Sequence, residues 1–132
     1  MFKSLKTIAA MLVAAVVSIQ AVPAIAGEAV GKGTFVGASN HITTGSVEVV
    51  KNADGSHTVV LGSDFTFDGA PDPRVGFGNN GKYDKSTGMG LLKSNNGKQS
   101  FVVPAGVDPS DYNEVYVYCL KFTVPLGVAK LN

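Results

Sequence analysis

Residues 115–124 read Val-Tyr-Val-Tyr-Cys-Leu-Lys-Phe-Thr-Val and form the longest strand-like run in the chain. Successive side chains of a strand point to opposite faces, so the two tyrosines would lie on one face and the valines, with Cys119, on the other. β-branched and aromatic residues are typical of sheets. The sequence therefore predicts one long strand over Val115–Val124, which Pro125 stops.

Shorter runs of the same kind fill the chain on the N-terminal side of this strand. The sequence Asp54-Gly55 separates two of them and predicts a tight hairpin, whereas residues 79–86 are polar and predict a surface loop. Asp108 and Pro109 predict one capped helical turn. Seven to nine short strands in about 100 residues predict an antiparallel β-sandwich or small barrel. The other predicted strands are 33–37, 46–51, 57–61, 64–68, 74–78, 89–93 and 99–103.

The N-terminus has the three parts of a secretory signal peptide. Two lysines precede an apolar run at residues 8–22, and Pro-Ala-Ile-Ala at 23–26 places small residues at both positions that signal peptidase reads. A membrane-spanning helix needs about 20 apolar residues, and this run is shorter. We therefore expect cleavage between Ala26 and Gly27, which yields a periplasmic or secreted protein without a membrane anchor.

The remaining residues, 27–132, suffice for one domain with a single core. The leader holds two of the eleven Lys and Arg residues, so nine remain against ten Asp and Glu. These charges are scattered along the chain. Nucleic acid would require a clustered basic face, so the sequence predicts no nucleic-acid partner.

Cys119 is the only cysteine of the chain. Small exported domains usually carry paired cysteines, so a lone one either reacts, binds a ligand, pairs between chains or lies buried as a small apolar residue. A nucleophilic cysteine with His41 as base is disfavoured, because Cys119 lies in a strand rather than at a helix N-terminus. The sequence therefore disfavours a conventional enzyme. His41 itself is typical of a turn or strand-end histidine bonded to backbone.

Copper and haem are the two cofactors that the His, Cys and Met residues of the chain could bind. Two histidines, one cysteine and Met89 match blue copper in composition, but blue-copper proteins take Cys, His and Met from one short C-terminal loop. Neither His nor Met follows Cys119, so copper is less favoured and we predict no metal site. Covalent haem is disfavoured because no Cys-x-x-Cys-His is present. A non-covalent haem held by His41, Met89 or Cys119 stays open.

An ordered set of landmarks resembles the DM-thirteen (DM13) domain, a small extracytoplasmic β domain. The resemblance covers about residues 31–131. Its landmarks are Gly33-x-Phe35, His41-x-x-x-Gly45, Leu61-x-x-Asp64-Phe65, Pro71-Asp72 with Val75, Gly97-x-Gln99, Val115-x-Val117-x-Cys119-x-x-Phe122-x-Val124 and Gly127-x-Ala129-x-Leu131.

This resemblance implies a redox role. The family's defining pattern includes the cysteine, and electron transfer has been proposed for it through a free thiol or a bound prosthetic group such as haem. On this chain that role falls on Cys119, and we extend it to His41 as a second cofactor-binding candidate. Because the domain stands here without a cytochrome-like module, the resemblance implies a separate redox protein as partner.

A second function stays open. A rigid β domain can present glycine- and asparagine-rich loops as a recognition surface. Residues 79–86 form such a loop in the prediction. The alternative is therefore a non-catalytic extracytoplasmic module that binds protein or glycan.

The alternation of Tyr116 and Tyr118 favours packing on the sheet over a redox relay.

Overall fold

The computed structural model describes residues 27–132 and, before them, Ala15. The predicted signal peptide, residues 1–26, otherwise lies outside the described residues. The described part contains no helix long and apolar enough to cross a membrane. Short 3-10 turns occupy Lys85–Thr87 and Pro109–Asp111. The ten strands are β1 Glu28–Gly37, β2 Thr43–Thr44, β3 Ser46–Lys51, β4 His57–Leu61, β5 Thr66–Phe67, β6 Pro73–Asn79, β7 Lys82–Tyr83, β8 Gln99–Val102, β9 Glu114–Cys119 and β10 Val124–Lys130.

Eight of these strands form one curled sheet in the order β7-β6-β9-β10-β1-β3-β4-β8. Every neighbouring pair is antiparallel. Strands β2 and β5 pair separately as a two-stranded ribbon. The predicted small antiparallel β fold is therefore confirmed, with three of its ten strands only two residues long.

The inward face of the sheet forms a single hydrophobic core. Alternate residues of each strand point into it, as the period of two requires. Burying each such side chain contributes about 1.5–3 kcal/mol. The core draws on every strand of the sheet from β6 to β8 and includes Phe35, Val47, Val49, Val59, Leu61, Phe65, Phe67, Val75, Phe77, Phe101, Val115, Val117, Cys119, Leu126 and Ala129.

The prediction of one long strand over Val115–Val124 is wrong. The run is a hairpin, in which Cys119 ends β9 and pairs with Val124 at the start of β10. Thr123 has a φ of 52°, a left-handed conformation that residues other than glycine rarely adopt and that closes the turn. Pro125 lies inside β10 instead of stopping a strand, at a register shift between Pro125 and Gly127.

Two further segments differ from the prediction. Residues 89–93 form no strand, and only Leu91 makes an isolated bridge, to Arg74. Residues 79–86, predicted as a polar loop, contain β7, which pairs with the end of β6. The strands predicted at 46–51 and 57–61 match β3 and β4.

Three turns are capped in the same way. Asp54, Asp84 and Asp108 each accept hydrogen bonds of 2.6–3.0 Å from the backbone N–H and the hydroxyl of the serine two residues later. Asp108 thereby caps the 3-10 turn that Pro109 begins, as predicted. These hydrogen bonds, the one from the serine hydroxyl foremost, hold the pKa of each carboxyl below its usual value of 3.8.

This pattern predicts a loss of stability in acid. A carboxyl whose pKa is lower in the folded chain contributes stability above its unfolded pKa and loses it as the pH falls through the folded one. The free energy of unfolding should therefore fall between about pH 5 and pH 2, as measured by urea denaturation. Asp54→Asn should make that fall shallower. An unfolding free energy that stays constant down to about pH 2 would contradict the assignment.

Gly45 provides a sharper test of the fold. It has a φ of +104°, and a Cβ there would lie 2.5 Å from the Cα of Phe65. Gly55 also has a positive φ, +87°, but nothing lies within 4 Å. Gly55→Ala should therefore cost only the conformational strain of about 1–2 kcal/mol. Gly45→Ala should cost about 1–3 kcal/mol more. Equal unfolding free energies for the two variants would show that the close approach at Gly45 is not tight.

Candidate functional site

Cys119 lies inside the hydrophobic core. It is the last residue of β9, between Pro73 of β6 and Val124 of β10, and only 1% of its surface is exposed. Val115 and Val117, on the same face of β9, are fully buried. The thiol is therefore free but shielded from solvent. Attack on a partner's disulfide requires an accessible thiolate, so that chemistry requires the core to open.

His41 occupies the turn between β1 and β2 and is about one-third exposed, at 29% of its side chain. Its Nδ1 lies 2.8 Å from Oδ1 of Asp68, whose Oδ2 accepts the backbone N–H of Ile42 at 3.0 Å. These two bonds, the one from Ile42 first, lower the pKa of the Asp68 carboxyl. The ring thus binds a carboxylate rather than the predicted backbone group, and ties this turn to the residue after β5.

Cys119 and His41 belong to the same end of the sheet but do not form a joint site. The turn that carries His41 follows Gly37 of β1, which pairs with Gly127 of β10, and β10 pairs in turn with β9. The sulfur of Cys119 points into the core, whereas His41 binds Asp68 nearer the surface.

The two residues do not fit a shared haem. Three grooves mark the described surface, with volumes of about 830, 620 and 490 Å³, and neither residue lines any of them. Within residues 27–132, no three His, Cys, Asp or Glu side chains come close enough to hold a metal ion. Met89, the third ligand candidate, is a partly buried residue that packs against the core.

Three tyrosines pack together on the other face of β9. The rings of Tyr83 and Tyr118 are stacked, with centroids 4.1 Å apart and planes 15° apart. The ring of Tyr116 meets that of Tyr83 edge-on at 5.6 Å, an arrangement that aromatic pairs favour. We call Tyr83, Tyr116 and Tyr118 the tyrosine cluster. Tyr116 is its buried member, with 1% of its surface exposed.

Two glycines of β6 make room for this cluster. A Cβ at Gly76 would lie 2.7 Å from the hydroxyl oxygen of Tyr83, and one at Gly78 would lie 2.5 Å from Cε2 of Tyr116. Any larger residue at either position would have to displace a ring. The alternation of glycine along β6 therefore sets the depth at which the tyrosines sit.

Glu114 is the buried polar partner of the cluster, with 4% of its surface exposed. Its Oε1 accepts the hydroxyl proton of Tyr116 at 3.2 Å and the backbone N–H of Gly81 at 2.7 Å. Burial first, and then the charge of Glu114, raise the pKa of Tyr116 to about 12. Burial also raises the pKa of Tyr83 to about 12, so both phenols are protonated at physiological pH.

The tyrosine cluster reaches the surface in the groove of about 620 Å³, which we call the β7 groove. Tyr83 and Tyr118 line it, together with Lys82 and Lys85 from the segment predicted as a recognition loop. Tyr112 also borders it, stacks on Phe77 at 5.4 Å, and donates its hydroxyl proton to Asp84 at 2.8 Å.

Sequence reasoning missed the chemical side of this cluster. The signals that could have found it are the alternation of Glu114, Tyr116 and Tyr118 and the alternating glycines at 76 and 78, but the predicted strand began at Val115 and left Glu114 out. Neither pattern predicts which residue packs on Tyr116 and Tyr118. Tyr83 comes from a segment that was interpreted as a polar loop.

Comparison with known protein families identifies the domain. A family model described as "Electron transfer DM13" matches residues 34–131, and the match contains Cys119, His41 and all three residues of the tyrosine cluster. No curated protein and no solved structure is significantly similar. Since the match spans well over half of the 132 residues, the chain belongs to the DM13 electron-transfer domain family.

Proposed function

We propose that the protein is an exported domain that transfers electrons to or from a separate redox protein, with Cys119 as its redox residue. Membership of the DM13 family supports the electron-transfer role. The observation that carries the assignment to Cys119 is its position: the only cysteine ends the interior strand β9 inside the core. Export after cleavage between Ala26 and Gly27 rests on the N-terminal signal pattern.

Burial selects among the reactions of a thiol. A sulfur that solvent does not reach forms no disulfide with a second chain and exchanges none with a partner. It is also protected from stepwise oxidation, which follows exposure. One-electron oxidation of the thiol by an oxidised partner, through the intervening protein, needs no such contact; the S–H bond breaks and its proton leaves to solvent through a local opening of the core. The buried position therefore favours electron transfer over thiol–disulfide exchange.

The cofactor role of His41 stays a prediction. A histidine that ligates a metal usually donates a hydrogen bond from its other ring nitrogen, often to a carboxylate. Nδ1 of His41 has such a partner in Asp68. Nε2 is then the nitrogen that a ligand would use. The burial of Cys119 separates the two residues, so we assign them no shared group.

The thiol provides the first test, on protein purified from the exported fraction, whose mass should correspond to residues 27–132. In the native state the thiol should react with a thiol reagent about 100-fold more slowly than in denaturant, because access requires a local opening. Electron exchange with an oxidised haem protein, followed by the haem spectrum, should be lost in Cys119→Ala. Val117→Ala is the matched control, since it removes a buried side chain from the same face of β9.

Two results would contradict this assignment. Rapid reaction of the native thiol would favour thiol–disulfide chemistry instead. Electron exchange that survives Cys119→Ala would place the redox centre elsewhere in the domain, whereas equal loss in Val117→Ala would show that both variants act through stability.

The β7 groove supports one alternative function, a module that binds protein or glycan. Lysine side chains and aromatic rings line it, and aromatic residues are enriched where proteins bind partners. Lys82→Ala combined with Lys85→Ala should then weaken retention of a partner from the exported fraction, while Cys119→Ala leaves it unchanged. Unchanged retention in the double lysine variant would contradict this alternative. Deleting the segment is unsuitable as a test, since β7 covers Tyr116.

A further inference from the structure

We infer that Tyr116 and Glu114 form a proton-coupled redox pair, and that Tyr83 and Tyr118 connect this pair to an oxidant at the β7 groove. The inference rests on the proposed electron-transfer function and adds a second redox residue to it, on the opposite face of β9 from Cys119. The oxidant belongs to the class of high-potential one-electron acceptors, such as a haem protein activated by peroxide.

The reaction balances within the pair and the oxidant. The phenol of Tyr116 gives one electron to the oxidant, which is reduced by one electron. The O–H bond of Tyr116 breaks and its proton moves to Oε1 of Glu114, so a neutral tyrosyl radical and a neutral carboxyl remain. The return of an electron to the radical takes the proton back from Glu114.

Burial makes the proton transfer necessary. A phenol that lost an electron but kept its proton would be a cation in a site from which water is excluded, and an isolated buried charge is costly. The hydroxyl of Tyr116 and Oε1 of Glu114 are 3.2 Å apart, within the reach that proton transfer requires. The raised pKa of Tyr116 means that the proton is present when the electron leaves.

Glu114 is arranged to accept. Both of its hydrogen bonds are received by the same oxygen, from Tyr116 and from the backbone N–H of Gly81. Lys130 of β10 is its cross-strand partner, and both residues line the groove of about 490 Å³. Glu114 is also the only ionisable side chain among the buried polar residues of the described chain.

The rings form a continuous contact from the pair to the surface. Tyr116 itself lines none of the three grooves. Its ring meets that of Tyr83 at 5.6 Å, and Tyr83 stacks on Tyr118 at 4.1 Å. Tyr83 and Tyr118 both line the β7 groove. An oxidant in that groove therefore reaches Tyr116 through one aromatic contact from Tyr83, or through two from Tyr118.

The test is photochemical oxidation of the exported protein by tris(bipyridine)ruthenium(III), generated by a flash. Electron paramagnetic resonance should detect a long-lived tyrosyl radical, which is lost in Tyr116→Phe and kept in Tyr112→Phe. Tyr112 is the matched control, because it also donates its hydroxyl to a carboxylate but stacks on Phe77, outside the cluster. Circular dichroism and thermal unfolding establish that each variant is folded.

Glu114→Gln provides a second variant that keeps a hydrogen-bond acceptor of the same shape. It should slow the formation of the radical about 100-fold, because a positioned proton acceptor contributes at least that much. A full radical signal in Tyr116→Phe, or an unchanged rate in Glu114→Gln, would overturn the inference.

The two proposals fail separately. Cys119→Ala should leave the flash-generated radical intact. If Cys119→Ala keeps electron exchange with the haem protein while Tyr116→Phe removes the radical, the role of Cys119 is wrong and the tyrosine pair stands. If Tyr116→Phe keeps the radical while Cys119→Ala loses exchange, the pair is wrong and the role of Cys119 stands.

Discussion

The structure depends on an interior strand, β9, that is buried on both faces. Its backbone is held by β6 on one side and β10 on the other. On one face of β9, the hydrophobic core contains Val115, Val117 and Cys119. On the other face, Tyr116 and Tyr118 pack against Tyr83 of β7. A strand buried in this way tolerates no slip in register, because a shift of one residue would exchange the two faces. The register therefore determines which side chains lie in the core and which in the cluster.

The sequence was sufficient for the strands whose signals are local. The Asp54-Gly55 turn and its flanking alternation placed β3 and β4 at the residues where they occur, and Asp108 with Pro109 predicted the second 3-10 turn. It was insufficient after Cys119, because the alternation of polar and apolar residues continues through a turn. The backbone reverses there through the positive φ of Thr123. Threonine rarely adopts this conformation, so the sequence does not predict the turn.

The candidate site was likewise predictable from the sequence only in part. The sequence indicated Cys119 because it is the only cysteine, but its burial follows from the register of β9 with its hairpin partner β10 and with β6, which lies far away in the chain. The tyrosine cluster depends on contacts across 33 residues between Tyr83 and Tyr116, and on the two glycines of β6 that leave space for the rings. Long-range contacts of this kind leave no periodic signal, so a segment such as 79–86 is interpreted from its polarity alone.

Burial affects the two faces of β9 differently, because a redox side chain in a dry site needs a destination for its proton as well as for its electron. The buried polar residues of the described chain are Thr43, Thr87, Gln99 and Glu114, and only Glu114 among them carries a carboxyl group. It is bonded to Tyr116, whereas Cys119 is enclosed by apolar side chains. Oxidation of Cys119 therefore requires the proton to leave through the core, while oxidation of Tyr116 moves it along one hydrogen bond. The face that carries the tyrosines is the one on which the fold supplies both paths.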